Sequence, residues 1–152
     1  MTNTKKGGTP LYPSLNMWLK FTRAYSTYNK KAAEDMKNFG LNLSQFWVIE
    51  CLGSIGPLIM NELCKKTFLS AGNMTFIVDG LEKPGLVERV FTEGDRRSIL
   101  VRLTPKGEKV YGEAFSKHSD FLERLASVLT KEEQKEFARL LKKLGLALSE
   151  ME

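Results

Sequence analysis

Two short stretches concentrate side chains suited to recognising a polyanion. In the first, Ser70, Ala71, Gly72, Asn73, Thr75 and Phe76 follow one another without a charge. Ala71 and Gly72 would let a backbone approach phosphate, and Ser70 and Thr75 could donate to phosphate oxygens. Asn73 could pair bidentately with adenine, and Phe76 could touch a thymine methyl. The plain alternative is a surface helix of small residues. In the second stretch, Asp95, Arg96 and Arg97 set two guanidinium groups behind a carboxylate. An arginine at a projecting tip suits a narrow, strongly negative minor groove. Asp95 would fork onto one arginine and fix its rotamer before docking. The alternative is a solvated tip whose ion pair contributes little to stability. The closeness of the second stretch to the first favours joint recognition.

Other chemistries find little support. Cys51 and Cys64 lie in patterned apolar segments with no secretory signal ahead of them, which fits reduced thiols in the cytoplasm. Cys64 stands beside Lys65 and Lys66, a setting that favours a thiolate, whereas Cys51 lies in the most apolar segment. One histidine, His118, and two separated cysteines do not supply a metal coordination set, and no cofactor is expected. Ser44, Ser70 and Thr104 read as helix caps. Glu62, Asp79 and Glu82 lack the pairing that acid–base work needs, and no glycine-rich phosphate loop occurs, so an enzyme is not expected. Trp18, Phe21, Tyr25, Trp47, Cys51 and Phe115 could line an aromatic pocket, with His118 able to bond a ligand there. Aromatic residues at helical spacing serve equally well as plain core.

The elements that must position these residues follow from periodicity. The chain has 152 residues, 42% hydrophobic and 27% charged, with a formal net charge of +5, a composition suited to one globular domain and compatible with a polyanionic partner. No apolar run is long enough to span a membrane, and residues 1–10 read as a flexible tail. Leu15, Trp18, Tyr25, Ala32, Met36 and Phe39 mark a long amphipathic helix that Gly40 stops. Leu43 and Ser44 read as a hydrophobic residue and N-cap ahead of a buried helix ended by Gly53, Gly56 and Pro57. A short helix around residues 60–67 follows, and then one capped by Ser70, with Met74, Ile77, Val78 and Leu81 on one face. Pro84 and Gly85 close it. Residues 86–90 and 98–103 read as an antiparallel hairpin with its tip at Glu93 to Arg97. Thr104 and Pro105 restart a helix whose seam is Tyr111, Phe115, His118, Leu122, Leu125 and Leu129. Thr130 and Glu133 form a capping box for a last helix bearing Phe137, Leu140, Leu141, Leu144 and Leu148.

Two short helices followed at once by a hairpin form a winged helix-turn-helix. The expected fold is thus mostly α with a small antiparallel β-hairpin wing. Residues 41–107 form the winged core, and residues 11–40 and 108–152 form flanking dimerisation helices, whose apolar seams exceed what so thin a domain covers alone.

Residues 43–107 resemble the winged-helix core of the MarR family, the multiple antibiotic resistance regulators. The resemblance is carried by Thr75, Leu81, Glu82, Gly85, Leu86, Val87 and Arg89, by the Asp95-Arg96-Arg97 wing, and by the restart from Leu103 to Gly107. It implies a homodimeric, DNA-binding transcriptional regulator, usually a repressor, relieved by a small molecule or by oxidation. Asn73, Thr75 and Phe76 fall on groove-reading positions and Arg97 on the wing arginine. The implied partners are double-stranded DNA with a pseudo-palindromic operator, a second copy of the chain, and a small aromatic or anionic effector. A thiol-based sensor and a winged-helix module that binds protein are the alternatives. Ile59 departs from the family by standing where a serine or threonine usually starts the third helix. Pro84 departs by replacing a helix-compatible residue.

Overall fold

The computed structural model describes residues 12–67, 69–92 and 95–151, with side chains throughout except those of residues 92 and 95–98. The expected tail at residues 1–10 lies outside the described residues. Helix α1 spans Pro13–Met36 with proline at its start, and a 3-10 turn over Lys37–Phe39 ends at Gly40, whose φ of 69° is the left-handed value such a stop requires. Only Ala32 and Met36 of α1 are buried.

Helix α2 spans Leu43–Ile55, and its cap differs from expectation. Asn42, not Ser44, is the N-cap: its side chain accepts the Gln45 N–H at 2.8 Å, while Gln45 Oε1 accepts the Asn42 N–H at 3.0 Å. The reciprocal box satisfies two otherwise orphaned donors, which a serine inside the first turn could not do. Gly53 does not end the helix either. A Cβ there would lie 2.5 Å from the Tyr111 ring, so this glycine provides room for the aromatic ring while the backbone stays helical. The helix stops at Gly56, with φ 105°.

Strand β1, Leu58–Ile59, was not legible in the sequence. It pairs antiparallel with strand β3 through Leu58↔Val101 and Ile59↔Leu100. Ile59 is therefore a sheet residue and not a weakened helix cap. Helices α3, Met60–Thr67, and α4, Ala71–Glu82, follow as the sequence predicts.

Strands β2, Val87–Thr92, and β3, Asp95–Leu103, form the hairpin, giving a three-stranded sheet in the order β1-β3-β2. Strand β3 already begins at Asp95, opposite Thr92, with a register shift between Phe91 and Thr92, so Asp95 to Arg97 are strand and not loop tip. The core gathers Met36 and residues of α2, α3 and α4 against Leu58, Val87 and Val101 of the sheet.

Helix α5, Pro105–Ala126, is launched by Thr104, which accepts the Gly107 N–H at 3.0 Å and donates to the Gly85 carbonyl at 2.6 Å. One hydroxyl thereby caps α5 and ties it to the turn after α4. Gly107 is obligatory by contact, because a Cβ would meet the Leu86 carbonyl oxygen at 1.9 Å.

The chain divides into two compact units, one ending at Phe115 and one starting at Ser116. The second holds the end of α5 and helix α6, Lys131–Ser149, with the expected capping box: Thr130 accepts the Glu133 N–H at 3.2 Å and donates its own N–H to Glu133 at 2.8 Å. Helix α5 stops at Ala126, so Leu129 lies in the connection and outside the helical seam. Helix α6 buries no residue.

Candidate nucleic-acid interface

Helix α4 is two-faced. Met74, Ile77, Val78 and Leu81 are buried, whereas Ala71, Gly72, Asn73, Thr75 and Phe76 are exposed. Phe76 is 77% exposed. Ser70 adopts an extended backbone (φ −67°, ψ 153°) and its oxygen accepts the Asn73 N–H at 3.4 Å. Its own proton meets no acceptor among the described residues. Thr75 differs from expectation: its hydroxyl donates to the Ala71 carbonyl at 3.1 Å, so its proton is engaged and it faces solvent as an acceptor. The first turn carries no acid that would repel phosphate.

A clamp that the sequence reading missed seats this helix on the wing. Arg89, inward-facing on β2, donates to Asp79 at 2.6 Å and also to Glu82, while its backbone N–H donates to Glu82 Oε1 at 3.2 Å. Its side chain is 16% exposed. Burial works against the guanidinium charge, but the bonds to Asp79 and Glu82 outweigh it and hold Arg89 above its ordinary range. The two acids therefore share a structural partner in Arg89. The legible signal was a pair of carboxylates one helical turn apart, ahead of a strand with arginine at an inward position. Lys106 adds a second tie, donating to the Pro84 carbonyl at 2.7 Å.

On the wing, the backbone of Asp95, Arg96 and Arg97 is strand, and their side chains lie outside the described residues. The hairpin is braced on its outer face by Arg102 and Glu88 at 2.7 Å.

The expected aromatic pocket is only partly assembled. Trp47 and Cys51 line a cavity of about 570 Å³ with Glu50, Ser54, Ile55, Lys66 and Thr67. Glu50 and Lys66 were not anticipated. Trp18, Phe21 and Tyr25 are exposed on α1, with the Phe21 and Tyr25 rings stacked at 6.2 Å. Phe115 meets Tyr111 at 5.4 Å, and His118, in the second unit, is buried with its ring stacked on Phe121 at 6.2 Å. None of these five lines the Trp47–Cys51 cavity. Burial, and then the Glu50 carboxylate, push the Cys51 thiol up from its ordinary value against the opposing pull of Lys66. Among the described residues, no group of three or more His, Cys, Asp or Glu side chains could hold a metal ion, and no helix is long and apolar enough to cross a membrane.

A helix pair followed by a short-stranded wing, with the second helix presenting a small, uncharged outer face, defines the winged helix-turn-helix class. A sequence profile of the MarR family matches residues 39–98. The chain is 31% identical over 133 residues to the HTH-type transcriptional regulator YkoM of Bacillus subtilis, covering 88% of this chain and 86% of that protein. The chain belongs to the MarR family, whose named relatives are transcriptional regulators and not enzymes. Its fold is shared with a mutant MarR from E. coli complexed with operator DNA, with a TM-score of 0.78 and 23% identity over 90% of this chain and 99% of that one. It is shared also with NadR in complex with 4-hydroxyphenylacetate, with a TM-score of 0.70 and 23% identity over 95% and 97% of the two chains.

Proposed function

We propose that the protein is a homodimeric, sequence-specific DNA-binding regulator that acts in the cytoplasm as a repressor and is released by a small aromatic or anionic ligand. The observation that carries this reading is the outer face of α4. Phe76 is held 77% in solvent beside Asn73, Gly72 and Ala71, while the opposite face is sealed in the core. A bare aromatic ring beside an amide and small residues suits the methyl groups, base edges and phosphates of a major groove. The E. coli structure in the same fold holds operator DNA, which supports the same use here. In this reading Ser70, Ala71, Gly72, Asn73, Thr75 and Phe76 enter the major groove, and Asp95, Arg96 and Arg97 set the wing beside it.

Residues 41–107 are then the DNA-binding region, and residues 11–40 and 108–152 pair two copies. On α1, Trp18 and Tyr25 continue the stripe that holds buried Ala32 and Met36, yet stand 56% and 55% exposed. On α6, Phe137, Leu140, Leu144 and Leu148 are exposed together. A second copy would cover both surfaces and place the two α4 helices about 34 to 36 Å apart on a pseudo-palindromic operator.

The effector site of this reading starts from the cavity that Trp47 and Cys51 line, and Trp18, Phe21, Tyr25, Phe115 and His118 are its further candidate ligand contacts. NadR, whose structure holds 4-hydroxyphenylacetate in the same fold, supports an aromatic acid. Lys66 on the Trp47–Cys51 cavity supplies a cation for the carboxylate. A thiol sensor built on Cys51 is disfavoured by the burial that keeps the group protonated.

Anisotropy titration of labelled duplexes across a salt series tests the proposal. A steep fall of affinity, with a slope of about 0.9 per neutralised phosphate, is expected. Salt-insensitive or undetectable duplex binding removes the DNA reading in favour of a protein-binding module.

A further inference from the structure

A groove of about 280 Å³ runs along the edge of α4, between Asn73 and Phe76 on one side and Lys37, Leu41, Asn42 and Ser44 at the α1–α2 corner on the other. Its chemistry is one-sided. Lys37 supplies a positive charge, and no carboxylate lines the groove. Lys37 is exposed and takes part in no ion pair among the described residues. Ser44, relieved of capping by the Asn42–Gln45 box, has a half-buried hydroxyl with no hydrogen-bond partner among the described residues. Such a lysine and hydroxyl, sharing a groove with an exposed amide and an exposed ring, fit an anionic oxygen arriving from the solvent side of α4.

We infer that the Lys37–Ser44 groove holds a backbone phosphate of the duplex, gripping the strand that borders α4 at the α1–α2 corner. This rests on the DNA reading of α4 and extends it, because the two face residues that line the groove are also two that the reading sends to the bases. With Asn73 and Phe76 in the major groove, the corner faces the sugar–phosphate rim beside them. Lys37 neutralises the phosphate, Ser44 donates to it, and Asn73 is fixed in register by the grip. Phosphate contacts of this kind set position and carry no sequence information of their own.

The test uses the full chain and two labelled duplexes of equal length, one selected by the wild-type protein from a randomised pool and one of random sequence. Lys37→Gln is expected to fold with unchanged Tm and to weaken binding to both duplexes in similar proportion. It should also lower the slope of log affinity against log salt by about 0.9 for each protomer. Lys37→Arg restores the slope. Ser44→Ala is expected to lose about tenfold or more in affinity without changing the slope, as for a hydrogen bond from a neutral donor to a charged acceptor. Phosphate ethylation interference should lose one protected phosphate per half-site in Lys37→Gln. A steep wild-type slope that Lys37→Gln leaves unchanged overturns the inference and spares the DNA reading. Absence of wild-type binding to either duplex overturns both. Saturable binding of inorganic phosphate to the DNA-free protein that Lys37→Gln abolishes, with no change in slope on DNA, assigns the groove to a free anion and overturns the duplex assignment.

Discussion

The two units use similar amphipathic helices to opposite effect. Up to Phe115, apolar positions are sealed: Met36, Val48, Ile49, Leu63, Met74, Val78, Leu81 and Val101 are all essentially inaccessible. From Ser116 onward, α6 carries a hydrophobic stripe as regular as any in the chain, yet none of its residues is buried. The first unit completes its own core because a sheet, helices α1 to α4 and the start of α5 close around it. The second is a pair of helices that cannot cover their apolar faces, and that deficit is the physical case for a second copy.

The comparison breaks most severely if the open stripe is made polar. Replacing Leu140 and Leu144 together by aspartate is expected to give a monomer in analytical ultracentrifugation. Duplex affinity should fall toward the non-specific level, roughly a thousandfold or more. A variant that remains a dimer would move the interface off α6.

The closed unit is broken from within at Gly107, where a methyl group would meet the Leu86 carbonyl oxygen at 1.9 Å. Gly107→Ala should cost about 3 kcal/mol, read as a lowered urea midpoint at constant m. Arg89→Met comes next. It strands two partly exposed carboxylates beside an apolar side chain and should cost about 2 kcal/mol, together with a loss of duplex discrimination as α4 and the wing lose their shared anchor. Since the guanidinium is held above its ordinary range in the folded state, its contribution is complete through neutral pH and is lost only as pH rises through that elevated value. The stability difference between wild type and Arg89→Met should therefore be flat across the neutral range.

Recognition effects are smaller and more local. Asn73→Ala should cost roughly 1 to 3 kcal/mol at one base step, whereas Arg97→Ala should weaken cognate and unrelated duplexes alike. Equal losses on every sequence would take Asn73 out of the reading role. Smallest is a rate: iodoacetamide should label half-buried Cys64 well before Cys51, whose thiol is buried and held protonated. Mass spectrometry showing Cys51 modified first would overturn its protection by burial, whereas the thiol-sensor alternative rests on Cys64.

Local signals were legible wherever the stabilising partner lies within a turn or two. The bounds of α3, the Ser70 cap, the buried face of α4, the Thr104–Pro105 restart and the Thr130–Glu133 box all follow from such short-range chemistry. Readings failed where a distant residue intervened. Gly53 stays helical because Tyr111 occupies the space of its missing side chain, and Leu58 and Ile59 are strand because β3 offers them backbone partners. Asn42 replaced Ser44 for a local reason that was present in the sequence, the Gln45 side chain three residues on. The aromatic site was the least legible, because helical spacing gives a residue its face but not the element it will meet.

The sequence by itself determined the order of the helices, which face of α4 is apolar, and the family, since caps, periodicity and motif spacing are written in neighbouring residues. Tertiary structure alone decided that Arg89 bridges Asp79 and Glu82, that a third strand joins the hairpin, and that Lys37, Ser44 and Asn73 share one groove. Each of these joins residues from different elements, and their meeting depends on packing that no short window of sequence contains.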